Sequence, residues 1–351
     1  MPDKVPVGIL GATGLVGQVF ASFLSEHPWF ELTYLGASKK SEGKKYGDAL
    51  RGSPPLPIKE DILEMKVENV ENVPKDVKIL FSALPSSVAL EYELKYVKKG
   101  YVIISNASPL RLEDDIPLVN PEVNLEHLEL INIQKKRRKW KGLLVKNPNC
   151  TTAILTLTLK PILDRFGIKR VLVTTMQGLS GAGYPGVSAL DIIDNIVPYI
   201  KDEEYKVENE TLKILGILIN GKIQKAPLKV SATCTRVPVL HGHLESIYVE
   251  TVKDVNLEDI ISAFKEFRGR PQELKLPSAP SRPIVVREEE DRPQPRLDRL
   301  VERGLSVVVG RIRKDYALNG IKYLALGHNL VRGAAGIAVL IAEALLRLEY
   351  L

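Results

Sequence analysis

Cysteine is almost missing from this chain: Cys150 and Cys234 are the only two in 351 residues. Thiols so few and so far apart build no disulfide framework, so the chain reads as a protein of the reducing cytosol. Long apolar runs are missing too. The most hydrophobic late stretch, residues 334–346, is too short for a bilayer and is interrupted by Gly336 and Glu343. It reads as a buried helix, and no membrane partner is expected. No targeting segment is visible, because Asp3, Lys4 and Pro6 open the chain and the apolar run behind them is one strand long. There is no internal repeat and no spacing that suggests a metal cluster, so no metal is expected. Neither sign of charge dominates. Lys and Arg number 49 against 43 Asp and Glu, a net charge of +6. That suits a phosphorylated or carboxylated substrate and is too mild to argue for nucleic acid. The one dense basic run, K-K-R-R-K-W-K at residues 135–141, reads as a solvated helix end beside a domain boundary.

The remaining composition, 44% hydrophobic and 26% charged, is that of a soluble globular enzyme. The length exceeds what one core usually holds, which predicts two domains. Strand-like runs at residues 5–10, 32–37, 77–83, 101–105 and 143–145 alternate with helical spacing at 15–25 and 86–99. This alternation predicts a parallel sheet covered on both faces. A helix over residues 151–159 follows Cys150, and then the texture changes. Residues 171–176, 230–239 and 246–252 alternate as in an antiparallel sheet with one solvated face, residues 191–200 and 257–267 have helical spacing, and 277–295 read as a long loop. The fold class is therefore α/β, with the domain boundary near residues 147–150.

Gly11, Gly14 and Gly17 lie in G-A-T-G-L-V-G between a strand and a helix. Glycines there let the backbone approach a pyrophosphate, whose charge the helix N-terminus stabilises. An NAD site would place a carboxylate at the end of the second strand. This chain has G-A-S-K-K-S-E-G, which puts Ser38, Lys39 and Ser41 where a 2′-phosphate would sit, so NADP is predicted.

Cys150 follows Asn147, Pro148 and Asn149 at the start of a helix, where the helix dipole favours thiolate. Cys234 has no such setting and reads as core. His241 and His243 share a side of the chain if it stays extended. One reading joins them to Cys234 around a metal. The other pairs His243 with Cys150 as general base and aims Arg236 at a substrate carboxylate.

Together N-P-N-C-T around Cys150, Q-G-L-S-G-A-G at 177–183, R-V-P-V-L-H-G-H ending at His243 and H-N-L-V-R-G-A-A from His328 resemble the aspartate-semialdehyde dehydrogenase family, in its archaeal and fungal branch. The resemblance implies a Rossmann-type nucleotide-binding domain from residues 1–149 and 329–351. An α+β catalytic and dimerisation domain with a largely antiparallel sheet would come from 150–328. It implies Cys150 as nucleophile, His243 as acid/base and Gln177 as an orienting group. Arg236 would take the substrate α-carboxylate, Asn149 would lie against the substrate, and Glu203 would take its ammonium. Arg111 and Lys206 would bind phosphate. Gly11, Thr13, Gly14, Leu15, Val16, Ser180, Gly181 and Asn329 would contact the cofactor, with Ser38, Lys39 and Ser41 at its 2′-phosphate. The implied reaction interconverts aspartyl phosphate and aspartate semialdehyde in a homodimer or homotetramer, on the path to lysine, threonine and methionine. Malonyl-coenzyme A reductase shares this scaffold. In the form compared, it lacks the asparagine before the cysteine and the E-E-x-K element, both present here as Asn149 and Glu203 to Lys206. A non-catalytic NADP sensor would have no need of Cys150, His243 and two anion-binding arginines.

Overall fold

The computed structural model describes residues 4–351. Asp3, part of the basis for reading the chain's opening, lies outside the described residues.

Short runs of β-branched and leucine residues form β1 (Val5–Leu10), β2 (Phe30–Ala37), β3 (Glu68–Asn69), β4 (Ile79–Ser82), β5 (Val102–Ser105) and β6 (Leu143–Lys146). They lie in the order β3-β2-β1-β4-β5-β6, and every pairing is parallel. Such a sheet needs cover on both faces. On one face Val7, Ile9, Phe81, Ile104 and Val145 share a core with Val19 and Phe20 of α1 (Leu15–Leu24). On the other, Leu10, Leu80, Ile103 and Leu144 pack against Tyr96 and Val97 of α2 (Ser86–Lys99). Where β4, β5 and β6 end, Glu93 of α2 accepts hydrogen bonds from Ser82, Ser105 and Lys146, all fully buried. The basic run closes α3 (Leu130–Arg138) with Lys135, Lys136, Lys139 and Lys141 exposed.

α4 (Cys150–Phe166) leads into the second sheet. Its strands are β7 (Ile168–Gln177), β10 (Lys229–Arg236), β11 (His243–Thr251), β12 (Ile284–Val286), β13 (Val307–Asp315) and β14 (Gly320–Gly327), with β8 (Ile217–Ile219) and β9 (Lys222–Gln224) forming a separate hairpin. The order is β10-β7-β11-β14-β13-β12. The centre, from β7 through β11 and β14 to β13, is antiparallel, while both edge pairings are parallel. The sheet is thus mixed, and the expected antiparallel character belongs to its middle. One face packs on Ile154, Leu157 and Ile162 of α4 and on Ile260 and Phe264 of the helix Leu257–Glu266. The other face is half open, and burial along β11 alternates with every residue.

Ahead of β8 in the chain, α5 (Glu203–Ile214) packs against α4 and β10. The helix expected over 191–200 is not there. Only one turn, Ala189–Ile192, forms, and Asp194 then adopts a left-handed φ of 59°. Pro198 lacks the N–H a helix needs and disfavours helical backbone at Val197, which instead bridges to Arg236. The apolar groups at helical spacing therefore stay exposed, among them Ile193, Ile196 and Tyr199. The predicted loop at 277–295 contains β12. The chain ends on the helix Gly336–Arg347, whose Ile337, Leu340, Ile341 and Leu345 lie in the first sheet's core.

Candidate active site

Strand register builds the site. Arg236 pairs with Gln177, Gln177 with His243 and His243 with Gly327, a row across β10, β7, β11 and β14 at the end of the sheet. The row faces the start of α4, since a Cβ on Gly327 would lie 2.5 Å from Ile154 Cγ1. Asn149 caps that helix, its Oδ1 accepting from the N–H groups of Thr151 (2.9 Å) and Thr152 (3.3 Å). Capping satisfies donors that the first turn leaves free and presents Cys150 as the first helical residue.

Cys150 Sγ lies 3.2 Å from His243 Nε2. Gly178 N–H donates to His243 Nδ1 at 3.0 Å, which leaves Nε2 facing the sulfur. Arg236 donates through Nη1 to Gly178 O at 2.8 Å. A Cβ on Gly181 would fall 2.8 Å from Arg236 Nη1 and 3.2 Å from His243 Nε2, so the chain passes close over this pair and a larger residue would displace the guanidinium. His241 does not join them. Gly242 takes a left-handed φ of 104°, so the chain is not extended there, and His241 stacks on His328 with ring centroids 5.5 Å apart. Cys234 is fully buried. Among the described residues no group of three or more His, Cys, Asp or Glu could hold a metal.

Burial and the carboxylate of Glu203 push the Cys150 thiol up to about 12, against the pull of Arg236, Thr151 N–H and Arg111. Burial, then Arg236, lowers His243 to about 3. The resting pair is a neutral thiol beside a neutral imidazole. The helix N-terminus acts in the direction the sequence implied, and desolvation outweighs it.

The remaining polar groups converge from α5. Glu203 Oε1 accepts from Asn149 Nδ2 (2.9 Å) and Gln177 Nε2 (3.0 Å), while Lys206 Nζ stands 3.8 Å from Glu203 Oε2. Because an ionised carboxylate only accepts, the Gln177 amide must turn its oxygen the other way, where Thr175 Oγ1 donates to it at 2.9 Å. Arg111 donates through Nη1 to Glu210 at 2.9 Å and through Nη2 to Asn106 O. Lys213 Nζ donates to the carbonyls of Arg111, Glu113 and Ile116. Sequence reasoning missed Thr175, Glu210 and Lys213. The last two sit seven and ten positions beyond Glu203, so helical spacing was the signal available for them. It also missed Gly333, in a π-helical turn (Val331–Ala335), where a Cβ would lie 2.5 Å from Cys150 Cβ.

The glycine turn lies apart from the thiol, at the end of β1. Gly11 has a φ of 84°, and a Cβ on Gly17 would lie 2.4 Å from Gly11 O. Gly14 starts α1 with no side-chain cap, so the first N–H groups of the helix, near Thr13, Leu15 and Val16, are free for a ligand. Gly11 N–H and Ala12 N–H both bond to Gly36 O, bringing the end of β2 alongside, with Ser38 and Lys39 exposed and Ser41 half-buried. A cradle of glycines, free helix N–H groups and a neighbouring cation with two hydroxyls fits a dinucleotide bearing an extra phosphate. Beside it lies a cavity of about 250 Å3, lined by Leu15, Ser180, Tyr184, Leu240 and His241. Asn329 braces its wall, donating to Ser180 Oγ (2.9 Å) and accepting from Gly242 N–H (2.8 Å).

Comparison with known proteins agrees with this geometry. The family model described as semialdehyde dehydrogenase, NAD binding domain, matches residues 6–131, and the one described as semialdehyde dehydrogenase, dimerisation domain, matches residues 159–332. An aspartate-semialdehyde dehydrogenase from Methanothermobacter thermautotrophicus is 52% identical over 343 residues, covering 97% of this chain and 98% of that protein. The chain belongs to the aspartate-semialdehyde dehydrogenase family. The crystal structure of a Candida albicans member of that family, solved with NADP, has a TM-score of 0.89 at 39% identity and covers 99% of each chain. A Metallosphaera sedula protein named malonyl CoA reductase (NADP) is 40% identical, covering 100% of this chain and 99% of that protein.

Proposed function

We propose that this chain is an NADPH-dependent enzyme that reduces L-4-aspartyl phosphate to L-aspartate 4-semialdehyde, reversibly, through a thioester on Cys150. The observation that carries the proposal is the 3.2 Å contact of Cys150 Sγ with His243 Nε2 at the start of α4, flanked by Arg236 and Arg111. In the oxidative direction Cys150 sulfur bonds to the aldehyde carbon as its S–H proton passes by way of His243 to the carbonyl oxygen, and His243 takes that proton back when the carbonyl re-forms. NADP, when bound, takes up the hydride in this direction and, as NADPH, returns it in the other. Loss of hydride leaves the acyl group on sulfur as a thioester. A phosphate oxygen held by Arg111 and Lys206 then attacks the acyl carbon and expels Cys150 as thiolate. Splitting one exchange into two through sulfur lowers each barrier.

Arg236 suits the substrate α-carboxylate because its planar fork pairs with both oxygens. Glu203, already oriented by Asn149 and Gln177, suits the α-ammonium. Gly11, Thr13, Gly14, Leu15 and Val16 would hold the pyrophosphate, and Ser38, Lys39 and Ser41 the 2′-phosphate. Ser180, Gly181 and Asn329 would bound the nicotinamide end. Residues 1–149 and 329–351 form the nucleotide domain in this reading and 150–328 the catalytic one. The last helix supports that division by lying in the first sheet's core. The half-open face of the second sheet, with Leu172, Met176, Leu244, Tyr248 and Leu324, suits a second copy of the chain in a homodimer or homotetramer. Among the described residues no helix is long and apolar enough to cross a membrane. The two free thiols fit a reducing cytoplasm.

Malonyl-coenzyme A reduction is the second reading, favoured by the Metallosphaera sedula relative. Asn149 and Glu203, placed to meet an ammonium group, weigh against it. The deciding assay is reduction of NADP with L-aspartate semialdehyde, with and without phosphate. Phosphate-dependent turnover supports the proposal. Inactivity there, with NADPH consumed alongside malonyl-coenzyme A, transfers the assignment to the second reading.

A further inference from the structure

Glu210 has no place in the scheme above, yet it joins two of its parts. Its carboxylate is almost fully buried and bonds in two directions: Oε1 accepts from Arg111 Nη1 at 2.9 Å, and Oε2 accepts from the backbone N–H of Asn149 at 2.7 Å. The first partner is the arginine assigned to phosphate. The second is the residue directly before Cys150. Arg111 comes from the loop after β5 and Asn149 from the loop after β6; the two loops start side by side, joined by Asn147 Nδ2 to Asn106 Oδ1, and Glu210 ties them again further out. Lys213, one turn further along the same face of α5, holds the Arg111 loop by three carbonyls. Arg111 Nε is buried without a partner, so the guanidinium keeps a donor for an incoming anion while Glu210 occupies Nη1.

We infer that Glu210 is a positioning residue for the phosphate step: it fixes the distance and angle between the phosphate held by Arg111 and the acyl group on Cys150. The inference rests on the function proposed above. A carboxylate is required because both partners are donors. An amide could accept from one and would turn its own N–H groups toward the other. Attack on the thioester needs a phosphate oxygen within bonding approach of the acyl carbon, and small misplacements there cost large factors in rate. Formation of the thioester uses Cys150, His243 and the cofactor cleft, and does not use Arg111.

The test separates the two half-reactions in Glu210→Gln and Glu210→Asp. With L-aspartate semialdehyde and NADP but no phosphate, one NADPH per site should appear as a burst in the wild type and in both variants. With phosphate added, Glu210→Gln should lose steady-state turnover at least about tenfold with a raised KM for phosphate, and Glu210→Asp should recover part of it. Adding Glu210→Gln to Arg111→Gln should cost no more than Arg111→Gln alone, because both changes act through one contact. Burst and turnover falling together, or additive losses in the double variant, would overturn the inference. A wild type without phosphate-dependent turnover would instead overturn the proposed function.

Discussion

Two rows of side chains lie on the same face of the second sheet, two residues apart along the same three strands, and they behave in opposite ways. The outer row is Arg236, Gln177 and His243; the inner row is Cys234, Thr175 and Glu245. Both contain a group able to carry a proton, and Cys150 has its counterpart in Cys234. In the outer row the side chains are tied to Gly178, Glu203 and Cys150. In the inner row Cys234 is sealed and both Glu245 oxygens are buried without a partner. Residue type does not separate the rows. Position at the strand ends does, because only there do the loops and the start of α4 supply partners and an opening.

The sharpest way to break this comparison is to remove each thiol in turn. Cys150→Ala should lower turnover by at least about a thousandfold. Cys234→Ala should change it by less than about threefold and cost about 1 kcal/mol of stability, and equal losses in the two variants would erase the distinction. The thiols can also be titrated. Because Cys150 is pushed up to about 12, its thiolate fraction in substrate-free enzyme should rise about tenfold per pH unit, and alkylation by iodoacetamide should follow from pH 6 to pH 9. A plateau near pH 7 would show that the free enzyme already holds an ion pair.

Thr175→Val tests the one tie between the rows. Without its hydroxyl the Gln177 amide loses the bond that orients it. KM for the semialdehyde should rise about three- to tenfold, and Thr175→Ser should restore it. No effect from valine would mean that Glu203 alone holds the amide. The smallest change concerns Glu245, whose carboxyl burial raises well above its ordinary value. The folded state keeps this proton at pH values where the unfolded chain has lost it. Stability therefore falls as pH rises above the unfolded carboxyl's range, by ~1.4 kcal/mol per unit while Glu245 stays neutral. Glu245→Gln should raise Tm at pH 8 by a few degrees more than at pH 5, and the reverse order would show that the acid is ionised in the fold.

The parts of this site that were legible in the sequence are those written in local chemistry. G-A-T-G-L-V-G names a turn that only glycines can make, and N-P-N-C-T places a thiol at a helix start whatever surrounds it. His243, Arg236 and Gln177 could be named from motifs, but their meeting depends on the register of three strands, which no single segment encodes. Glu210 stood at helical spacing from Glu203, but its role in tying the loops after β5 and β6 emerges only in the fold. The false helix at 191–200 shows the converse error: apolar spacing suggested a buried stripe, while Pro198 and the left-handed Asp194 leave those side chains on the surface.

The π-helical turn with Gly333 against Cys150 and the helix behind it have a consequence for synthesis. Ile337, Leu340 and Leu345 complete the core that Val7 and Ile9 begin, more than three hundred residues earlier in translation. A nascent chain that has made both sheets still has an unfinished first core and a thiol with no wall behind it. The last helix and the wall of the catalytic thiol are thus one unit, and a chain without that segment should lose stability and turnover together.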